Sequence, residues 1–254
     1  MQNNKLIRYR LGGQVEYGLL SDEGVFRLPS GPWQNLHLGE RVAALAEVQL
    51  LAPCLPSKIV AVGRNYAAHA AELGNDVPAE PLIFLKPPST VIGPGEAIVY
   101  PRHLSQRVDH EAELAVVVGR RARHLREDEA HAYIRGYTCA NDVTARDLQE
   151  RDEQWNRSKG FDTFCPLGPW IVPGLDVSDL AIRCRVNGVL RQDGRTRDLL
   201  FGIGRLLAHV TAVMTLEPGD VLLTGTPAGI GPLRPGDRVT VEIEGIGTLE
   251  NEVV

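Results

Sequence analysis

An α+β fold rich in β-structure is predicted for this chain on three observations. The 254 residues include 26 glycines and 17 prolines, a density of turn formers that favours many short strands over long helices. Apolar residues recur in short alternating runs cut by Gly and Asp, the pattern of half-buried strands. A regular alternation of strand and helix patterns is absent, so a doubly wound parallel sheet is not expected. The length suits one large domain with a small appendage. With aromatics at only 6%, small aliphatic side chains must fill the core.

Residues 5–28 alternate between apolar and polar and are broken by Gly-Gly and Asp-Glu-Gly, which predicts small strands and turns. ERVAALAEVQL, residues 40–50, is a short helix candidate. The Pro-punctuated LAPCLPS that follows sets a boundary near residue 56, giving a small N-terminal β-domain over 1–56 and a catalytic domain over 57–254. KIVAVG reads as a buried strand ending at Gly63, and NYAAHAAELG as an Ala-rich helix closed by Gly74. PLIFLKP is a strand bounded by prolines. VDHEAELAVVVG, residues 108–119, is the strongest strand pattern in the chain. EDEAHAYIRGY reads as a helix with acids in its first turn, which suits the helix dipole. TCANDV is a passage from strand to loop, and ARDLQERDEQW is polar and helical or loop-like. LAIRCRVNGVL predicts a hairpin turning at Asn187-Gly188. Residues 199–213 carry a helical period, and GDVLLTGTP, GDRVTVEIEG and GTLENEVV are strands with Gly-Asp turns.

Composition excludes several functions. The net charge of −5 argues against a nucleic-acid partner, which calls for a basic face. No apolar run approaches the ~18 residues of a membrane span, and the N-terminus lacks an apolar export core, so a cytoplasmic location is expected. Cys54, Cys139, Cys165 and Cys184 match no zinc or redox spacing and are expected to be reduced thiols.

The chemistry is sought first in Glu111 and Glu113. They stand two apart in a strand pattern, so their side chains share a face. Two neighbouring glutamates repel and raise one another's pKa unless a cation lies between them. Asp142, just past another apolar stretch, offers a third carboxylate. Hard cations such as Mg²⁺, Mn²⁺ or Ca²⁺ choose such oxygens, and an all-carboxylate set favours Mg²⁺ or Mn²⁺ over Zn²⁺. Surface acids on a solvated strand remain the alternative on this pattern alone. His69 and Glu72, three apart on the predicted helix, share a face, as in a base and its orienting carboxylate; an ordinary surface pair has the same spacing. Arg64 and Lys86 end short apolar strands, a place suited to holding an acidic substrate.

Six motifs occur in order from about residue 57 to the C-terminus: GRNYAAHAAELG, PLIFLKP, DHEAELAVVVG, GYTCANDVTARDLQ, SKGFDTFCPLGPWIV and LTGTPAGIGP. Together they resemble the fumarylacetoacetate hydrolase family, and most of all its short acylpyruvase, oxaloacetate decarboxylase and homoprotocatechuate-pathway isomerase members. The resemblance implies a mixed β-sheet roll with a small N-terminal β-domain, usually homodimeric. It implies Mg²⁺ or Mn²⁺ on Glu111, Glu113 and Asp142, and a 2-oxo or 2,4-dioxo acid substrate whose enolate the metal stabilises. His69 is then the general base, Glu72 its orienter, and Lys159 a stabiliser of developing negative charge. Arg146 and Gln149 match positions that face the substrate. Thr163 matches one close behind the metal ligands, and Thr226 one that binds the substrate carboxylate. The leading expectation is hydrolysis of a C–C bond in an acylpyruvate. Decarboxylation of oxaloacetate or a related diacid, and isomerisation of 2-hydroxyhepta-2,4-diene-1,7-dioate, are the alternatives. The segment VGRNYAAH carries none of the extra carboxylate that larger members place before the histidine, which favours smaller acids.

Overall fold

A computed structural model describes residues 4–254. Its frame is a twelve-stranded mixed sheet. The N-terminal strands β1 (Lys5–Leu11), β2 (Gln14–Ser21), β3 (Gly24–Arg27) and β4 (Arg41–Ala43) form an antiparallel meander, and β5 (Gln49–Leu50) pairs with β1. The sequence predicted a helix over 40–50, but only Leu45–Glu47 forms a 3₁₀ turn. The Ala and Leu propensities there yield to pairing of Arg41–Ala43 with β3 and of Gln49–Leu50 with β1.

The chain continues through β6 (Ile59–Gly63), α1 (Ala67–Glu72), β7 (Leu82–Lys86), β8 (Val91–Ile92), β9 (Val108–His110), β10 (Ala112–Val118) and β11 (Ile134–Asn141). It then runs through β12 (Thr144–Ala145), α2 (Arg146–Arg151), α3 (Asn156–Lys159), β13 (Cys165–Val172), β14 (Ala181–Val186), β15 (Val189–Arg195) and α4 (Ile203–Val213). Last come β16 (Val221–Leu223), β17 (Gly231–Leu233), β18 (Arg238–Ile243) and β19 (Gly247–Glu252). The large sheet runs β4-β3-β2-β1-β13-β11-β10-β16-β6-β7, while β12-β9-β17 and β15-β14-β18-β19 form two smaller sheets. The β16–β6 and β13–β8 pairings are parallel and the others antiparallel, which makes the sheet mixed as expected. A predicted helix over EDEAHAYIRGY shrinks to one 3₁₀ turn at Ala130–Tyr133. Ile134 onward is taken by β11, whose β-branched and aromatic residues pair with β10 on one side and β13 on the other.

Strand β10 is buried on both faces. Leu114, Val116 and Val118 pack into a core shared with β14, β18 and the apolar side of α4 at Leu206, Leu207 and Val210. Ala115 and Val117 pack on the opposite face with Ile59, Leu167 and Leu223. The stripe on α4 has the 3–4 residue spacing of a helix with one buried face. The β14–β15 hairpin turns at Asn187-Gly188, both at positive φ (51° and 78°), as a two-residue turn of this hand requires.

Asp220 joins β16 to the start of β6. Its fully buried carboxylate accepts from the backbone N–H groups of Ser57, Lys58 and Glu217, from the Ser57 hydroxyl and from Lys58 Nζ. Burial raises its pKa, but these donors outweigh that and hold it below the usual range. A group with a depressed folded pKa adds stability that is complete above its unfolded pKa, about 3.9 for Asp, and lost as pH falls through the folded value. Asp220→Ala is therefore expected to cost roughly 2–4 kcal/mol at pH 7, because several buried donors lose their acceptor. Urea midpoints at pH 7 and pH 3.5 check this: the gap from wild type should narrow at the lower pH.

Candidate active site and metal centre

Between β9 and β10 the strand pattern breaks for one residue, Glu111. Its backbone N–H donates to Asn141 Oδ1 (2.9 Å), and its carbonyl accepts from Asp142 N–H (2.8 Å). The break joins the end of β11 to the end of β10 and brings Glu111, Glu113 and Asp142 together. One carboxylate oxygen from each lies within 4.8 Å of the others, and all three residues are buried. Burial on both faces of β10 excludes the reading of these acids as a solvated strand surface.

Two of the carboxylates have basic partners. Lys159 Nζ donates to Glu111 Oε2 (2.7 Å) and to Asp142 Oδ2 (2.7 Å). Arg146 reaches Glu111 with Nη2 (2.5 Å) and Asp109 with Nε (2.9 Å), while its Nη1 donates to Gln149. Burial raises Glu111, yet the charges of Lys159 and Arg146 overcome it and hold the carboxyl below the ordinary range. Burial would lower Lys159, and Asp142 and Glu111 more than offset it, so the ammonium stays charged. Glu113 differs. Its oxygen accepts the Gly225 N–H (2.7 Å), and no basic group lies within ion-pair distance of it among the described residues. Burial, then the charges of Asp142 and Glu111, push it well above the ordinary carboxylate range. A buried carboxylate with no basic side chain paired to it, beside two others, fits a divalent cation held by these three residues.

The triad opens onto a cavity of about 220 Å³, below the ~300 Å³ at which drug-sized ligand pockets begin. His69 lines it, only 5% exposed, with Nδ1 3.3 Å from Glu72 Oε2. That pairing places the ring proton on Nδ1 and leaves Nε2 as the basic nitrogen. Glu72 is itself fixed by the Gly229 N–H, at 3.0 and 3.2 Å to its two oxygens. Arg64, Arg146, Gln149, Lys159 and Thr226 also line the cavity. Arg64 holds φ at 57°, and its guanidinium lies 5.9 Å from the Trp155 ring centroid. Leu73, Asn75, Glu150 and Trp155, from the segments that follow His69 and Arg146 in the chain, complete the wall.

Two residues do not take the places expected of them. Lys86 is fully buried behind the cavity wall, where Nζ donates to Asp142 Oδ1 (2.6 Å) and to the Lys159 carbonyl (2.5 Å). It props a carboxylate and does not line the cavity. Thr163 is outside the cavity, its hydroxyl accepting the Val99 N–H at 2.9 Å. Thr226 does line the cavity, yet its hydroxyl donates to the Ala112 carbonyl (2.8 Å) and accepts from Gln192 (2.7 Å). Sequence reasoning missed Phe84 and Trp155, packed edge to face at 5.3 Å, with Lys159 Nζ 5.2 Å from the Phe84 ring centroid. An aromatic in a strand pattern reads as core, and nothing local marks it as cavity wall. The four cysteines are buried, and burial pushes every thiol up, so none is poised as a nucleophile.

Residues 58–254 match the fumarylacetoacetate (FAA) hydrolase C-terminal family, and residues 4–53 match the Rv2993c-like N-terminal family. A solved 5-carboxymethyl-2-hydroxymuconate delta-isomerase from Mycobacterium smegmatis has a TM-score of 0.92 at 48% identity, covering 98% of this chain and 99% of that one. A 2-hydroxyhepta-2,4-diene-1,7-dioate isomerase from Mycobacterium marinum has a TM-score of 0.91 at 43% identity, covering 99% and 98%. The oxaloacetate tautomerase YisK of Bacillus subtilis is 41% identical over 233 residues, 86% of this chain and 77% of its own length. No helix among the described residues is long and apolar enough to cross a membrane.

Proposed function

The chain belongs to the fumarylacetoacetate hydrolase family, and from that premise we propose that it interconverts the keto and enol forms of a short 2-oxo diacid of the oxaloacetate type. The supporting observation is one small cavity that joins the His69–Glu72 pair, the carboxylate triad and an arginine free to take an anion. Among the described residues Arg64 has no carboxylate within ion-pairing distance. A guanidinium at such a place would receive the second carboxylate of a diacid, which a monocarboxylic acylpyruvate such as acetylpyruvate lacks. The oxaloacetate tautomerase activity of a 41% identical relative agrees with this substrate class.

Glu111, Glu113 and Asp142 would hold Mg²⁺ or Mn²⁺, which when bound supplies Lewis-acid polarisation of the 2-oxo group. The protein's own residues carry the proton. In the keto-to-enol direction His69 Nε2 takes the proton on the carbon next to the 2-oxo carbon, while the 2-oxo oxygen gains one from solvent. In the reverse direction the oxygen loses its proton to solvent and His69 returns one to the carbon, with Glu72 keeping the opposite nitrogen protonated throughout. Lys159 places a fixed positive charge beside the site where negative charge grows on oxygen. Arg146 holds Glu111 in place from the cavity wall, and Lys86 holds Asp142 from behind it.

Hydrolysis of an acylpyruvate is a second reading, favoured by the same dyad, since a histidine backed by a carboxylate also activates water. A panel of oxaloacetate, acetylpyruvate, fumarylpyruvate and 2-hydroxyhepta-2,4-diene-1,7-dioate, each with Mg²⁺ and Mn²⁺, separates the readings. Enol absorbance of oxaloacetate should relax faster with enzyme, without pyruvate formation, and Arg64→Gln should raise its KM about 10–100-fold, the worth of a charge-assisted hydrogen bond. Cleavage of acetylpyruvate outpacing enolisation of oxaloacetate would replace this proposal with the hydrolase; pyruvate appearing from oxaloacetate would replace it with the decarboxylase.

A further inference from the structure

Strand β15 belongs to the four-stranded sheet and contributes no residue to the cavity. One of its side chains, Gln192, is fully buried and points into the junction where the two halves of the site meet. Its Oε1 accepts the Ala112 N–H (2.9 Å) and lies 3.1 Å from His110 Nδ1. Its Nε2 donates to Thr226 Oγ1 (2.7 Å) and to the Pro227 carbonyl (2.7 Å). An amide offers two acceptor and two donor positions, and here all four are used. The orientation of the amide is not arbitrary. The Ala112 N–H is only a donor and the Pro227 carbonyl only an acceptor, so a reversed amide would lose both bonds.

These partners sit at the two ends of the chemistry. Ala112 lies between Glu111 and Glu113, so its N–H fixes the strand break that sets the carboxylate pair. Thr226 and Pro227 belong to the loop after β16. That loop sends the Gly225 N–H to Glu113 and the Gly229 N–H to Glu72, the partner of His69. The loop is also fitted to β15 by contact. A Cβ on Gly194 would fall 2.5 Å from Pro227, and one on Gly229 would fall 2.1 Å from the Arg191 carbonyl. Neither glycine position leaves room for a side chain, and the polar side chain that bridges the strand and the loop is Gln192.

We propose that Gln192 is a positioning residue that ties the carboxylate triad to the His69–Glu72 pair, by clamping the 225–229 loop onto the Glu111 strand break. As a statement about catalysis this rests on the reading of the cavity as an active site; as a statement about the loop it does not. Gln192→Glu separates the two sides. A carboxylate still accepts from Ala112 and His110, but it cannot donate to Thr226 or Pro227 and sets a negative charge against the Pro227 carbonyl. Gln192→Met removes both sides.

The test uses the full chain. In Gln192→Glu, hydrogen exchange of residues 225–229 should rise at least tenfold while β10 and β16 keep wild-type protection. Enolisation of oxaloacetate should lose about 10–100-fold in kcat with KM within threefold, the scale on which an outer supporting partner acts. Mn²⁺ affinity should fall less in Gln192→Glu than in Gln192→Met, since only the latter frees the Ala112 N–H. Asp193→Asn, a neighbouring exposed side chain on the same strand, serves as the control. Wild-type exchange in the 225–229 loop of Gln192→Glu would overturn the proposal, whatever the activity. So would a fall in kcat no larger than the loss of folded protein seen in thermal melts. A wild-type enzyme inert on oxaloacetate, combined with a loosened loop in the variant, would remove the tautomerase reading and leave the clamp standing.

Discussion

Glu113→Gln is expected to abolish divalent-metal binding while leaving the metal-free protein as stable as wild type, or more so. Glu113 is the one triad member without a basic partner, and the amide still offers an oxygen to the Gly225 N–H. Burial and the neighbouring charges of Asp142 and Glu111 raise its folded pKa above the unfolded value of about 4.3. A group raised in this way favours the fold below its unfolded pKa, and that contribution is lost as pH climbs through the folded one. The metal-free wild type should therefore lose thermal stability as pH rises across that window, and Glu113→Gln should not. Mn²⁺ should displace the proton and restore the wild type alone. Mn²⁺ affinity of the variant should fall by more than about 100-fold, beyond the 10–100-fold that loss of a supporting partner costs. Calorimetric titration and melting curves from pH 5 to 8 supply both readouts. Mn²⁺-dependent stabilisation persisting in the variant would refute the carboxylate site.

His69→Ala should have the second-largest effect, on rate and not on metal binding. Removing a general base costs about 10²–10⁴ in turnover. His69 touches Glu72 and the cavity but is not one of the three clustered carboxylates. Expected, then, is that loss in kcat for oxaloacetate enolisation, with Mn²⁺ affinity within about threefold of wild type. More than a tenth of wild-type turnover surviving would exclude His69 as the base. Loss of acetylpyruvate cleavage with enolisation intact would assign His69 to activating water and move the enzyme to the hydrolase reading.

Much of this site was legible in the sequence because spacing carries geometry. The i,i+2 relation of Glu111 and Glu113 and the i,i+3 relation of His69 and Glu72 depend only on the period of a strand and of a helix. Asp142 was picked out as a third carboxylate just past an apolar stretch, and the ordered motifs supplied Lys159 and Arg146. Contacts between distant segments were not legible. Lys86 ends an apolar strand in sequence, and only the fold shows that it passes behind Asp142 and not into the cavity. Gln192 sits in VLRQDGR, where no local pattern separates it from an exposed hairpin polar residue. The two helices that did not form failed for one reason: Ala, Leu and Glu favour a helix locally, but residues 41–50 and 134–137 are needed as partners by strands from elsewhere in the chain.

The first strand touches none of the cavity residues but changes what the rest of the chain can safely do in solution. The outer side of β13 is shared between β1, which meets it at Ile171, and β8, which meets it at Cys165 and Pro166. A polypeptide begun at residue 58 would keep every cavity residue and lose β1. It would leave part of a long apolar strand with its N–H and C=O groups open beside Leu167 and Ile171. Open edges of that kind recruit other chains. The N-terminal meander thus acts as a guard against self-association: a shortened chain would fail by clumping before it failed by losing its chemistry.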